Sequence, residues 1–139
     1  MPKDASKPII AKVAAIQLVS STSLAENLQQ TAGLVAQAAD QGAQLVLLPE
    51  YFCFMGAHDH DKLALKEPFG NGPIQNFLAK LAKTHKIWLA GGTLPIESPD
   101  KHRIYNSLLV FAPDASVQAR YDKIHLFGLQ TANESFNEA

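Results

Sequence analysis

The chain has 139 residues, 47% of them hydrophobic, which is enough for one compact domain with a buried core. Its formal net charge of −1 supplies no broad positive field, which argues against nucleic acid as a partner. A single cysteine excludes an internal disulfide and fits a reducing, cytoplasmic setting.

Residues 1–11 read as a loose arm. Early lysines precede an apolar stretch there, as in a secretory leader. Lys12 interrupts that stretch, however, and no small-residue cleavage site comes before "SSTS", so secretion is not expected. No apolar run is long enough to span a bilayer, and no membrane partner is expected. Val13 to Val19 is a β-rich apolar run and predicts a strand. Ser23 with Glu26 three residues on forms a capping box, followed by apolar residues at helical spacing and by Gly42 as a stop. Leu45 to Leu48 predicts the next strand, ended by Pro49. Strand, helix and strand in this order predict a parallel βαβ unit.

Residues 55–73 are rich in glycine and proline and predict a loop. Ile74 to Lys86 is amphipathic and predicts a second helix. Ile87 to Ala90 predicts a strand running into Gly91 and Gly92, with Trp88 in the core. Ile104 to Phe111 and Val117 to Lys123 predict a hairpin around "APDAS". The tail "GLQTANESFNEA" shows no period. The whole predicts an α/β layer with helices on one face of a mixed sheet of four or five strands.

In such sheets functional groups gather at the carboxyl ends of strands. Glu50 stands at one such end, just beyond an apolar run. Lys123 ends the hairpin, in "RYDKIHLF". Together they would offer a proton acceptor and a fixed positive charge. Each also has a plainer reading, a solvated loop carboxylate for Glu50 and a snorkelling surface lysine for Lys123.

Five segments, "VAAIQL", "AADQGAQLVLLPE", "GGTLPI", "IYNSLLVF" and "RYDKIHLF", occur in this order. Each is weak alone; in this order and spacing they resemble the N-terminal half of the carbon–nitrogen hydrolase (nitrilase) superfamily. "YDKIHLF" leans toward its Nit-like amidases, which act on dicarboxylate monoamides or deaminated glutathione. The resemblance implies the N-terminal part of an α-β-β-α sandwich. It also implies hydrolysis of a non-peptide carbon–nitrogen bond in a small linear amide by a Cys-Glu-Lys triad. Glu50 falls on the general base, Lys123 on the catalytic lysine and Glu134, in "NES", more loosely on a second glutamate. Tyr51, next to the base, is a candidate to line the substrate pocket. No metal or organic cofactor is implied, and the full-length protein is expected to be a homo-oligomer.

The departure is the nucleophile. In that family it lies in a later strand-to-helix elbow, beyond Ala139, and Cys53 does not occupy its position. The chain is therefore expected to be one truncated domain, inactive alone, with an apolar face meant for a second sheet. The chemistry explains the residue types. A thiol is mostly protonated at neutral pH, so a glutamate must take its proton and later return it to departing ammonia. A lysine then stabilises the oxyanion. On this account Glu50 is a base held rigidly at a pocket floor. The alternative is a non-catalytic half-domain acting as a binding or assembly module. A third reading, a metal site in "HDHD" at 58–61, is weaker, because alternating residues in a loop need not converge. His125 is expected to share the face of Lys123 on a continuing strand, most simply packed or at the surface. Cys53, in the apolar "YFCFM", is expected in the core or a pocket wall.

Overall fold

The computed structural model describes residues 10–58, 60–131 and 135–137. Strand β1 (Val13–Ala15) leads into helix α1 (Leu24–Asp40), then strand β2 (Leu45–Leu47). A 3-10 helix (Asp61–Leu65) precedes helix α2 (Pro73–His85) and strand β3 (Trp88–Ala90). Strands β4 (Leu94–Glu97), β5 (Ile104–Phe111), β6 (Val117–Asp122), β7 (Gly128–Gln130) and β8 (Ser135–Asn137) follow.

Both helices start and stop as their sequences dictate. Ser23 caps α1, its Oγ accepting from the Glu26 amide at 3.3 Å. Gly42, at φ +87°, turns the chain out of the helix, where only glycine is free of strain. Lys12 donates to the Gln41 carbonyl at 2.7 Å and helps close that end. Pro73 opens α2, and Lys86 leaves it in a left-handed conformation.

Strands β1, β2 and β3 are parallel, with Val13, Leu45 and Trp88 in register. Strand β5 runs antiparallel to β3, β4 and β6. Because β6 occupies one edge of β5 along residues 107–111, β3 and β4 share the other edge. They act as a single strand broken by a bulge, in which three residues, 91–93, stand opposite two, 108 and 109. The main sheet thus has six strands, and β7 and β8 form a separate hairpin.

The core lies between the helices and one sheet face. Val35, Val46, Leu78, Leu89 and Leu109 are fully buried there. On the opposite face Val13 is 58%, Leu47 44% and Trp88 44% exposed, so Trp88 is not a core residue as its apolar neighbours suggested. The first strand is shorter than Val13 to Val19. Strands β4, β7 and β8 were not anticipated. No helix among the described residues is long and apolar enough to cross a membrane.

Candidate active site

The site is built where β2 ends. Leu48 still donates to the Ala90 carbonyl, at 3.0 Å; Pro49, without an N–H, then ends the ladder. The bulge between β3 and β4 receives the emerging chain. A Cβ on Gly92, at φ +59°, would sit 2.1 Å from the Pro49 carbonyl oxygen, so the approach requires glycine. Thr93 Oγ1 accepts from the Tyr51 amide at 2.9 Å.

Tyr51 itself is at φ +51°, a strained conformation for an aromatic residue. Successive side chains in an extended strand point to opposite faces. The left-handed turn at Tyr51 instead lets Glu50 and Tyr51 line the same cavity. The chain beyond is clamped from the β1–α1 loop and the first turns of α1. Buried Asn27 donates to the Cys53 carbonyl at 2.8 Å, Ser20 Oγ donates to the Phe52 carbonyl at 3.1 Å, and the Met55 amide donates to the Ser21 carbonyl at 3.0 Å.

Lys123 arrives from the other side of the sheet. It follows β6, and its amide still donates to the Asn106 carbonyl at 2.9 Å. Its Nζ donates to Glu50 Oε1 at 2.9 Å, joining residues 73 positions apart. Asn106 Nδ2 donates to the same oxygen at 3.0 Å. The Glu50 side chain is 51% exposed and that of Lys123 27%. Glu50 is therefore at a cavity wall open to solvent, not at a closed floor. The cavity holds about 310 Å³, with Phe54, Met55 and Phe127 as apolar walls. Lys62, 8% exposed, also lines it; its Nζ donates to Tyr51 Oη at 3.0 Å and lies 4.3 Å from that ring's centroid.

Other candidates separate from this cluster. Glu134 lies outside the described residues, as do residues 1–9 of the N-terminal arm. Cys53 is fully buried, and burial pushes its thiol up to about 12, with the Glu67 carboxylate adding to the shift. Such a thiol is inert at neutral pH. His58 borders the cavity, but its side chain is 84% exposed, with Nδ1 3.6 Å from Asp61 Oδ2. Among the described residues no group of three or more His, Cys, Asp or Glu gathers to hold a metal. His125 lies in a bend beyond β6, exposed, rather than on a continuing strand. Sequence reasoning missed Lys62, Thr93 and Asn106. Of these, Asn106 carried a signal, a polar residue inside the apolar "IYNSLLVF".

A carbon-nitrogen hydrolase family model matches residues 12–139. The chain belongs to the carbon-nitrogen hydrolase family. Human omega-amidase NIT2 is 36% identical over 132 residues, covering 92% of this chain and 45% of that protein. A deaminated glutathione amidase of Synechocystis sp. is 35% identical over 122 residues, covering 87% of this chain and 43% of the relative. The NitFhit protein of C. elegans superposes with a TM-score of 0.79 at 27% identity, over 93% of this chain and 32% of that one. This carbon-nitrogen hydrolase chain thus spans less than half the length of the curated relatives it matches. The Nit-like resemblance and the α/β fold both stand.

Proposed function

We propose that the full-length protein hydrolyses the carbon–nitrogen bond of a small linear amide, with a cysteine nucleophile contributed from outside this chain. The observation that carries the reading is the 2.9 Å contact of Lys123 Nζ with Glu50 Oε1 beside a cavity. Lys123 and Asn106 both donate to Oε1, which fixes the carboxylate and leaves Oε2 to take the thiol proton. The thiolate attacks the amide carbon, and the Lys123 ammonium stabilises the negative charge that develops on oxygen. As the tetrahedral adduct collapses, the carbon–nitrogen bond breaks and Glu50 returns its proton to the leaving ammonia. Glu50 then takes a proton from water, which attacks the thioester to release a carboxylic acid and restore the thiol.

In this reading Tyr51 serves as a wall of the substrate pocket, and Glu134 takes the role of the family's second glutamate, helping to position the lysine and substrate. The reaction needs no metal or organic cofactor. We place the protein in the cytoplasm, as a homo-oligomer when full length. By itself the 139-residue chain is expected to turn over no amide.

The test is Glu50→Gln in the full-length protein. The change removes the base but keeps the shape and an acceptor for Lys123. Steady-state hydrolysis of a linear amide should fall by roughly 10²-fold to 10⁴-fold, with the melting temperature nearly unchanged. Full activity in Glu50→Gln would sink the reading.

A further inference from the structure

Asn106 sits where an amide costs stability. It lies on β5, with β4 on one edge and β6 on the other, and is 2% exposed. Asparagine is a poor strand former, and a buried amide is unfavourable unless it is hydrogen-bonded. Its neighbours on the same strand face, Ile104 and Leu108, are apolar. A leucine at this position would suit the sheet better.

The amide serves the two charged groups of the site instead. Asn106 Nδ2 donates to Glu50 Oε1 at 3.0 Å, across 56 positions of sequence. Its main-chain carbonyl accepts from the Lys123 amide at 2.9 Å, one residue past the Ser107–Asp122 pair of the β5–β6 ladder. One strand position thus sets both where the base stands and where the lysine leaves the sheet.

The proposed cycle makes unequal demands on the two donors to Oε1. Lys123 meets Glu50 as an ion pair. Once Oε2 has taken the thiol proton, the carboxyl is neutral and that attraction fades, while the oxyanion now draws the ammonium. The Asn106 contact needs no charge. In the protonated acid Oε1 is still a carbonyl oxygen and still accepts from an amide, and the amide itself does not titrate.

We propose that Asn106 is the positioning residue that holds Glu50 while it is protonated, keeping its proton aimed at the departing nitrogen after Lys123 has turned to the oxyanion. This deepens the amidase reading above and rests on it. As the adduct collapses, the carbon–nitrogen bond breaks, the nitrogen takes the Oε2 proton and leaves as ammonia, and Glu50 is again a carboxylate held by both donors.

Two probes with the same acyl group test it in the full-length protein: butyramide, whose nitrogen must be protonated to leave, and p-nitrophenyl butyrate, whose phenolate leaves without a proton. In Asn106→Leu, kcat for butyramide should fall by roughly 10-fold to 100-fold, as for one lost hydrogen bond to a group that is charged in part of the cycle. KM should stay within about 3-fold. The pre-steady-state burst of p-nitrophenolate should slow by less than about 3-fold. Asn106→Ser, whose hydroxyl is too short to reach Oε1, should show the same split and decides if Asn106→Leu fails to fold. In a Glu50→Gln background Asn106→Leu should cost little more, because it acts through Glu50. Equal losses on both probes, or a full further loss in the Glu50→Gln background, would show that Asn106 only braces the sheet; the amidase reading would stand. Wild-type hydrolysis of neither probe removes the amidase reading, and this proposal falls with it.

Discussion

Glu67 is 4% exposed, and its two oxygens take three donors: the Ile74 amide, the Gln75 amide at 3.1 Å and Gln75 Nε2 at 3.0 Å. Glu50 is half exposed, with two donors crowded onto Oε1. Glu67 replaces the missing cap of α2, whose N-cap, Gly72, has no side chain to offer. Both oxygens of this buried carboxylate are thus committed to holding the start of α2. Glu50 sits over a cavity and keeps an oxygen clear of its two bonded neighbours. Burial with full pairing marks a structural carboxylate here; partial pairing at a cavity marks a chemical one.

That contrast can be broken most sharply by changing each glutamate in the full-length protein and measuring both rate and stability. Glu50→Gln should lose rate without losing stability. Glu67→Ala should do the reverse, destabilising by about 2–5 kcal/mol, because two buried amides lose their acceptor. Gly72→Ala should act in the same direction. Its new Cβ would lie 2.3 Å from the Glu67 carboxylate, at a φ of +155°. Thermal or urea unfolding checks both. A Glu67→Ala protein that is as stable as wild type but catalytically dead would reverse the assignments.

Cys53 sharpens the same distinction between buried and reactive groups. Burial holds its thiol at about 12, against an ordinary 9.0. Iodoacetamide at pH 8 should therefore leave Cys53 unlabelled in the folded chain and label it readily in urea. Mass spectrometry gives the answer. Fast labelling of the native protein would mean that the segment after Glu50 is not held as described.

The smallest effect belongs to Asp122, beside Lys123. Burial acts to raise its pKa, but hydrogen bonds from Arg120 and Ser107 outweigh it, and the carboxyl ends below its ordinary 3.8. A lowered folded-state pKa stabilises above the unfolded value, and the stabilisation disappears as pH falls through the folded value. The stability difference between wild type and Asp122→Asn should be constant above about pH 5 and shrink below 3.8. A difference that grows with acid would contradict this.

Much of this was legible beforehand, for local reasons. Ser23, Gly42 and Pro49 are punctuation marks whose meaning needs no tertiary context, so the βαβ unit and the emergence of Glu50 could be read directly. Strand β4 was hidden by Gly91, Gly92 and Pro95, which spell a turn; the bulge that receives Pro49 is what makes them a strand. Trp88 lies in an apolar run without alternation, which cannot say which side faces the helices. Lys62 gave no signal, because "DKLAL" reads as an ordinary solvated segment until Tyr51 turns toward it. Asn106 could have been found, since an amide on a buried strand position demands a partner.

The central claim is that Glu50 and Lys123 work as one catalytic unit, and a double-mutant cycle on kcat/KM in the full-length protein tests it most directly. Glu50→Gln and Lys123→Met should each cost at least about 10²-fold, and the double variant should be little worse than the poorer single one, as for residues acting together. Melting temperatures should stay within a few degrees of wild type. Small, strictly multiplicative losses, or a rate that tracks the folded fraction, would show that the pair only braces the sheet.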